Sequence, residues 1–332
     1  MYPLKFKPLL FDKIWGGEKL KYIYPETSLQ NIGESWLVSA VQDKESVVIN
    51  GFLAENTLSE LVEVYLTELV GERVYKKFGE EFPLLVKLID SRQDLSIQVH
   101  PNDDIAGKRH NSFGKNEFWY MLDCAPDAFI IAGFNKKLTK QEFLDAAKNG
   151  NVENHLRKIH VKKGDFIFIP AGCVHTIGRG CTLIEIQQSS DITYRIYDYN
   201  RKDEHGNPRQ LHLKQALDAI NFENYNFSVN NKGESPNNIV NLIDNESFAI
   251  NQIELTQSKE LRLAEIDSFV LLSVVEGDLT CIFGQEKLDV NYGETILIPA
   301  EMSDVVLVPK QYAKILETFI KIDNFDEHQQ QY

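Results

Sequence analysis

Residues 160–177, HVKKGDFIFIPAGCVHTI, align without a gap with residues 289–306, DVNYGETILIPAEMSDVV, at an offset of 129 residues. Gly164 falls on Gly293, Pro170 on Pro299 and Ala171 on Ala300. Each copy reads as a turn glycine, a short apolar strand and a proline that ends it. A unit repeated in two halves of one chain predicts two related β structures rather than a single continuous core. One difference between the copies carries chemical weight: His175 in the first is matched by Asp304 in the second.

The rest of the pattern agrees with a mainly β chain. Apolar runs at 82–90, 95–100, 117–122, 128–134, 165–170 and 182–187 are separated by Gly, Pro, Asp and Asn, and similar runs resume after residue 247. Short strands at close intervals favour a sandwich or barrel over a doubly wound parallel sheet. Helical spacing is confined to 56–78, to a segment opened by Thr139 and Glu142 with capping-box spacing, and to 213–220. The polar, Asn-rich stretch at 226–240 reads as a linker. It predicts a first domain over 1–235, with the helices as insertions, and a second over 236–332.

Thirty-five basic against forty-nine acidic residues give a net charge of −14, which argues against nucleic acid or an anionic membrane as a general partner. A small anion needs only a few local cations and stays possible. No run of about 18 apolar residues is present, and the start MYPLKFKPLLFDKIWGG lacks a signal peptide's apolar region. The four cysteines (Cys124, Cys173, Cys181, Cys281) form no CxxC pair. Reduced thiols in a soluble, cytoplasmic protein are the expectation.

The chemistry concentrates in the first half. Gln98 and His100 lie two apart in the strand LSIQVH, so they share a face, while Ile97 and Val99 take the other. A hydrogen-bonded core pair is the plain alternative. Glu117 opens the run EFWYML, and His175 closes Gly164-x5-Pro170-x-Gly172-x2-His175, a strand, corner and second strand that begins with an inward histidine. Two imidazoles, a carboxylate and an amide oxygen suit Zn²⁺, with Mn²⁺, Fe²⁺ or Co²⁺ as alternatives, and three strong ligands leave positions open for a substrate. Arg195 interrupts the apolar strand TYRIY and calls for an anionic partner: a ligand, or Asp191, Asp198 or Glu185 in a buried ion pair. Lys87, a charge inside PLLVKLI, and Lys115, two residues before Glu117, are equal candidates for a proton-transfer base or for binding an anion; Ser96 is a further anion-binding candidate. His110, His155, His160, His205 and His212 read as surface histidines.

Gly-x5-Pro-x-Gly-x2-His is the second cupin motif, here with Arg179 where cupins usually carry Asn. In place of the usual first motif stand Gln98-Val99-His100 and Glu117. With GESWLVSA, LSIQVHPND, GKNEFWYML, LIEIQQSSDITYRIYDYNR and GNPRQLHL in order, the chain resembles the type I mannose-6-phosphate isomerases, in their short bacterial branch, over nearly its whole length. The resemblance implies two cupin-like jelly-roll barrels, the second without metal. It implies one zinc per chain on Gln98, His100, Glu117 and His175, an active-site Arg195, and interconversion of the sugar phosphates mannose 6-phosphate and fructose 6-phosphate through an enediol. A cupin oxygenase with redox-active iron, and a metal-free sugar-binding cupin, are the competing readings; the oligomeric state stays open.

Overall fold

The computed structural model describes residues 1–202, 206–223 and 227–322; His205 lies outside them. The chain is mainly β, as expected, and forms two compact units. One comprises Met1–Lys7, Glu45–Phe82 and Lys232–Tyr332, the other Pro8–Lys44 and Pro83–Asn231.

The second of these holds two antiparallel sheets. A six-stranded sheet runs in the order Phe166–Ile169, Glu117–Cys124, Cys181–Gln188, Leu84–Asp90, Ile32–Val38, Leu9–Gly17. A five-stranded sheet runs Leu156–His160, Phe129–Phe134, His175–Ile177, Ile97–Val99, Tyr194–Tyr197. Ile89, Met121, Ile167 and Leu183 of the first sheet and Ile130, Ala132 and Ile177 of the second share one apolar core. The two sheets therefore face each other, and neither closes on itself among the described residues. The outer face of the five-stranded sheet, with Ile97, Val99 and Ile196, is covered by Phe143 and Ala147 of the helix Lys140–Lys148 and by Ala216 of the helix Leu213–Ala219. Ile97 and Val99 thus point away from the inner face, and Gln98 points into it, by strand alternation. The capping box at Thr139 and Glu142 is formed.

The other unit is built on an eight-stranded sheet around the long strands Val270–Phe283 and Asp304–Phe319. Register shifts at Val274/Glu276 and Gly277/Leu279 bend the pair without breaking it. Residues 45–82, which the sequence reading assigns to a first domain over 1–235, belong to this unit. The helix Leu58–Val70, interrupted at Leu66, delivers the Leu69 and Val70 carbonyls to the amides of Ala300 and Phe269. Leu4–Lys5 adds a strand beside Thr295–Ile298. Backbone hydrogen bonding to the C-terminal sheet outweighs sequence proximity here.

The internal repeat holds in the backbone. Strands Phe166–Ile169 and Thr295–Ile298 occupy repeat-equivalent positions, as do the strand starts His175 and Asp304. Gly164 and Gly293 turn the chain at φ +83° and +81°. Three differences from the sequence expectation stand out. Strands Leu9–Gly17 and Ile32–Val38 were not anticipated, because Asp12, Lys13 and Glu34 break their apolar runs. Helix Asp103–His110 lacks an apolar stripe and is set by its ends: Asn102 caps it, acidic residues fill the first turn and basic ones the last. In place of the two expected barrels stand two open, facing sheets in one unit and one eight-stranded sheet in the other.

Because both turn glycines occupy the left-handed region, Gly164→Ala and Gly293→Ala should each destabilise the protein by roughly 1–2 kcal/mol. Urea unfolding midpoints check this; unchanged midpoints in both would show that the turns relax at no cost.

Candidate active site

Cross-strand register assembles the site from two rows of side chains. On the five-stranded sheet, Gln98 lies directly between His175 on one neighbour and Arg195 on the other. On the six-stranded sheet, Trp36, Lys87, Glu185 and Trp119 lie side by side across four strands. Glu117 starts its strand on the same sheet, opposite Gln187 and Ile169. His100 follows the Gln98 strand, and a loop whose Lys115 amide bonds the Pro101 carbonyl brings Lys115 back beside it.

His100, Glu117 and His175 converge, with one ligand-type atom from each within 4.8 Å of the others. All three are buried to 1% exposure. Nδ1 of His100 lies 2.7 Å from the Ile192 carbonyl and Nδ1 of His175 lies 2.9 Å from the Cys173 carbonyl. A carbonyl only accepts, so each ring carries its hydrogen on Nδ1 and turns a bare Nε2 inward. Burial, aided by the neighbouring Lys115, pushes the His100 pKa down to about 3, and burial lowers that of His175, so both rings are neutral ligands. Burial alone would raise the Glu117 carboxyl. Lys115, with Nζ 2.8 Å from Oε1, is the main influence that outweighs burial, and the group is held well below the usual range. Neither Glu117 oxygen has a well-aligned hydrogen-bond donor.

Gln98 places its amide Nε2 3.4 Å from both imidazole Nε2 atoms, and its Oε1 accepts from Ser96 Oγ at 3.2 Å. Turning the amide over would present the oxygen instead. Two bare nitrogens, an anionic carboxylate short of donors and an amide form an N/O donor set that fits a divalent metal such as zinc.

This cluster borders a cavity of about 350 Å³ within the same unit. Six cations (Lys13, Lys44, Lys87, Lys115, Arg195, Arg209) line it against three carboxylates (Glu34, Glu185, Asp191), reversing the sign of the chain's net charge. Lys87 and Lys115, equal candidates by sequence, differ here. Lys87 has Nζ 3.2 Å from Glu185 Oε2, donates to Gln187 Oε1 at 2.7 Å and lies 4.9 Å from the centre of the Trp36 ring. Burial lowers its pKa despite Glu185, and burial raises that of Glu185. For Lys115 the nearby Glu117 and Glu185 overcome burial and raise the pKa, which fixes it as a cation.

Arg195 is not the buried ion-pair residue that the sequence left open. Among the described residues it makes no ion pair; its Nε donates to Ser96 Oγ at 3.3 Å and its Nη1 to the Gln210 carbonyl at 3.1 Å. Asp191 pairs with Lys44, Glu185 with Lys87, and Asp198 with Arg201 and Arg209. His212, read as a surface histidine, lines the cavity and accepts from the Arg195 amide at 3.2 Å. Glu34, Trp36, Arg209 and Thr193 also line it without having been singled out. Glu185 had the same sequence signal as Lys87, a charge inside an apolar strand.

Antiparallel sheets with two histidines and a glutamate turned inward beside a polar cavity define a β protein with a buried cluster able to hold a metal ion. Comparison with known proteins narrows that class. Residues 4–121 match the family phosphomannose isomerase type I, catalytic domain, and residues 238–310 match mannose-6-phosphate isomerase, cupin domain. The chain is 39% identical over 308 residues to mannose-6-phosphate isomerase ManA of Bacillus subtilis, covering 92% of this chain and 95% of that one. It is 32% identical over 299 residues to mannose-6-phosphate isomerase of Streptococcus mutans, covering 90% and 92%. The crystal structure of the mannose 6-phosphate isomerase from Bacillus subtilis superposes with a TM-score of 0.86 at 32% identity, over 96% of this chain and 99% of that one. The chain belongs to the type I mannose-6-phosphate isomerase family.

Metal analysis of the purified protein should find about one divalent ion per chain, since one cluster of this kind exists among the described residues. His100→Ala and His175→Ala should each lose it with the far-ultraviolet circular dichroism unchanged. Two ions per chain would contradict a metal-free second copy, and outright unfolding would make the metal structural.

Proposed function

We propose that this chain interconverts mannose 6-phosphate and fructose 6-phosphate at the cavity beside His100, Glu117 and His175, with Zn²⁺ as the cofactor. The observation that carries the reading is the join of a neutral-imidazole and carboxylate cluster to a cavity whose cations outnumber its carboxylates. Membership of the family supports the reaction, and the excess of cations supports a phosphorylated sugar as the small-molecule substrate.

Aldose–ketose exchange moves a proton between C1 and C2 through an enediol, and negative charge develops on the sugar oxygens. Bound zinc would supply Lewis-acid polarisation of those oxygens. His100, Glu117 and His175, with Gln98 once its amide is turned over, would hold that ion. Arg195, pinned by Ser96 and Gln210 and unpaired with any described carboxylate, supplies a fixed guanidinium toward the developing charge. Lys87 and Glu185 are the groups suited to the proton. Burial destabilises both charges, so a proton moves within or out of that pair at low cost. Lys115 keeps its charge and neutralises Glu117. Ser96 holds both Gln98 and Arg195 and thereby sets the metal side against the guanidinium.

A coupled assay should detect isomerisation, abolished by a chelator and restored by zinc. Arg195→Ala should keep the metal and lower kcat roughly a hundredfold, equivalent to about 3 kcal/mol, with little change in KM. A loss confined to KM would make Arg195 a substrate-binding residue only. A base must be unprotonated, and Lys87 is shifted down, so kcat should rise with pH along a limb below the ordinary lysine range. Lys87→Met should remove that limb together with most activity, and Lys87→Arg should not rescue it, because arginine stays protonated. Rescue by Lys87→Arg would assign Lys87 an electrostatic role.

A further inference from the structure

The four cavity lysines are each held by a carboxylate of their own: Lys13 by Glu34 at 3.3 Å, Lys44 by Asp191 at 2.6 Å, Lys87 by Glu185 at 3.2 Å and Lys115 by Glu117 at 2.8 Å. Their charges cancel in pairs, and a ligand anion could use one only by disturbing a pair. The arginines are not so balanced. Arg201 and Arg209 share the single carboxylate of Asp198, and Arg195 has no ion-pair partner among the described residues. Among the described residues, three guanidiniums against one carboxylate leave two positive charges in excess, which matches the charge of a phosphate monoester near neutral pH.

The turn that builds this cluster also selects which arginine faces the cavity. Tyr199 and Asn200 both adopt φ +54°, and the chain returns so that Pro208 bridges Lys202 and Arg209 meets Asp198. Arg201 gives Nη1 to the Asp94 carbonyl, stacks over Tyr199 and does not line the cavity. Arg209 does line it. Asp198 Oδ2 takes its Nε at 2.7 Å and Oδ1 takes Nη2, a two-point grip that leaves Nη1 for a ligand. Arg195, tied to Ser96 at one end and Gln210 at the other, spans the wall between the metal side and Arg209.

We infer that Arg209 is the anchor for the substrate's phosphate group and that Asp198 is the positioning residue that aims it. The inference rests on the isomerase reading above for the identity of the substrate, but phosphate binding can be read without turnover. All three tryptophans of the chain, Trp15, Trp36 and Trp119, line the cavity, so their fluorescence reports on its occupancy.

The experiment titrates inorganic phosphate into the purified protein, with and without chelator, and follows tryptophan fluorescence; KM and kcat for mannose 6-phosphate are measured in parallel. Arg209→Ala should weaken phosphate binding and raise KM on the order of tenfold to a hundredfold, the loss expected of a charge-assisted hydrogen bond, with kcat within about threefold. Arg209→Lys should fall between, because it keeps the charge and loses the fork; it also carries the test if Arg209→Ala does not fold. Asp198→Asn separates positioning from bulk field. Removing a negative charge should tighten phosphate if only the field matters, whereas a positioning role predicts weaker binding. Unchanged phosphate affinity and KM in both Arg209 variants would overturn the inference, as would tighter binding in Asp198→Asn or a phosphate response abolished by chelator. Absence of turnover in the unsubstituted protein, with Arg209-dependent phosphate binding intact, would instead overturn the isomerase reading and leave the anchor standing.

Discussion

Glu117 is a carboxylate buried to 1% exposure with two bare imidazole nitrogens facing it, and the organisation of the site depends on neutralising it. Taking such an ion out of water costs several kcal/mol even after relaxation, so a cation has to be within contact. Lys115 meets the requirement at 2.8 Å, and a divalent ion seated on both nitrogens would meet it further. The same demand propagates across the sheet. Burial is the main cause that raises the Glu185 carboxyl and lowers the Lys87 ammonium; charged Glu117 adds to the first shift and charged Lys115 to the second. Lys87 and Glu185, a buried ion pair with both charges disfavoured, therefore lie on the same sheet as Glu117.

Much of this was legible in the chain because strand alternation is a strict rule. Gln98 and His100 on one face, Ile97 and Val99 on the other, follow from a period of two, and the structure places Ile97 and Val99 in the core under the covering helices. The turn glycine, terminating proline and corner before His175 are local features, readable without knowing what lies opposite. Local readings do not reveal which distant groups meet. Lys13 and Glu34 sit on strands that their own charges made hard to recognise, and their partnership needs the register between Leu9–Gly17 and Ile32–Val38. Arg209 and His212 lie in a polar return loop and gain meaning only because that loop runs beside Arg195. The assignment of residues 45–82 to the C-terminal sheet is of the same kind: hydrogen bonds from the end of a helix to positions more than 190 residues away decide it.

The two copies of the repeat share their backbone pattern but not the residue at the start of the second strand. The strand and turn positions coincide, yet Asp304, where His175 would stand, is exposed and accepts a hydrogen bond from Ser303. Its sheet instead packs a full apolar core of its own, including Leu272, Ile296 and Ile315.

We propose that one metal ion sits on His100, Glu117 and His175 beside the cavity that accepts the sugar phosphate. Anomalous X-ray diffraction at the zinc edge, from crystals grown with zinc and soaked in fructose 6-phosphate, tests it most directly. The prediction is a single peak per chain, about 2.0–2.2 Å from Nε2 of each histidine and a Glu117 oxygen, with sugar density in the adjoining cavity. A peak on other residues, or sugar phosphate bound away from that cavity, would contradict it.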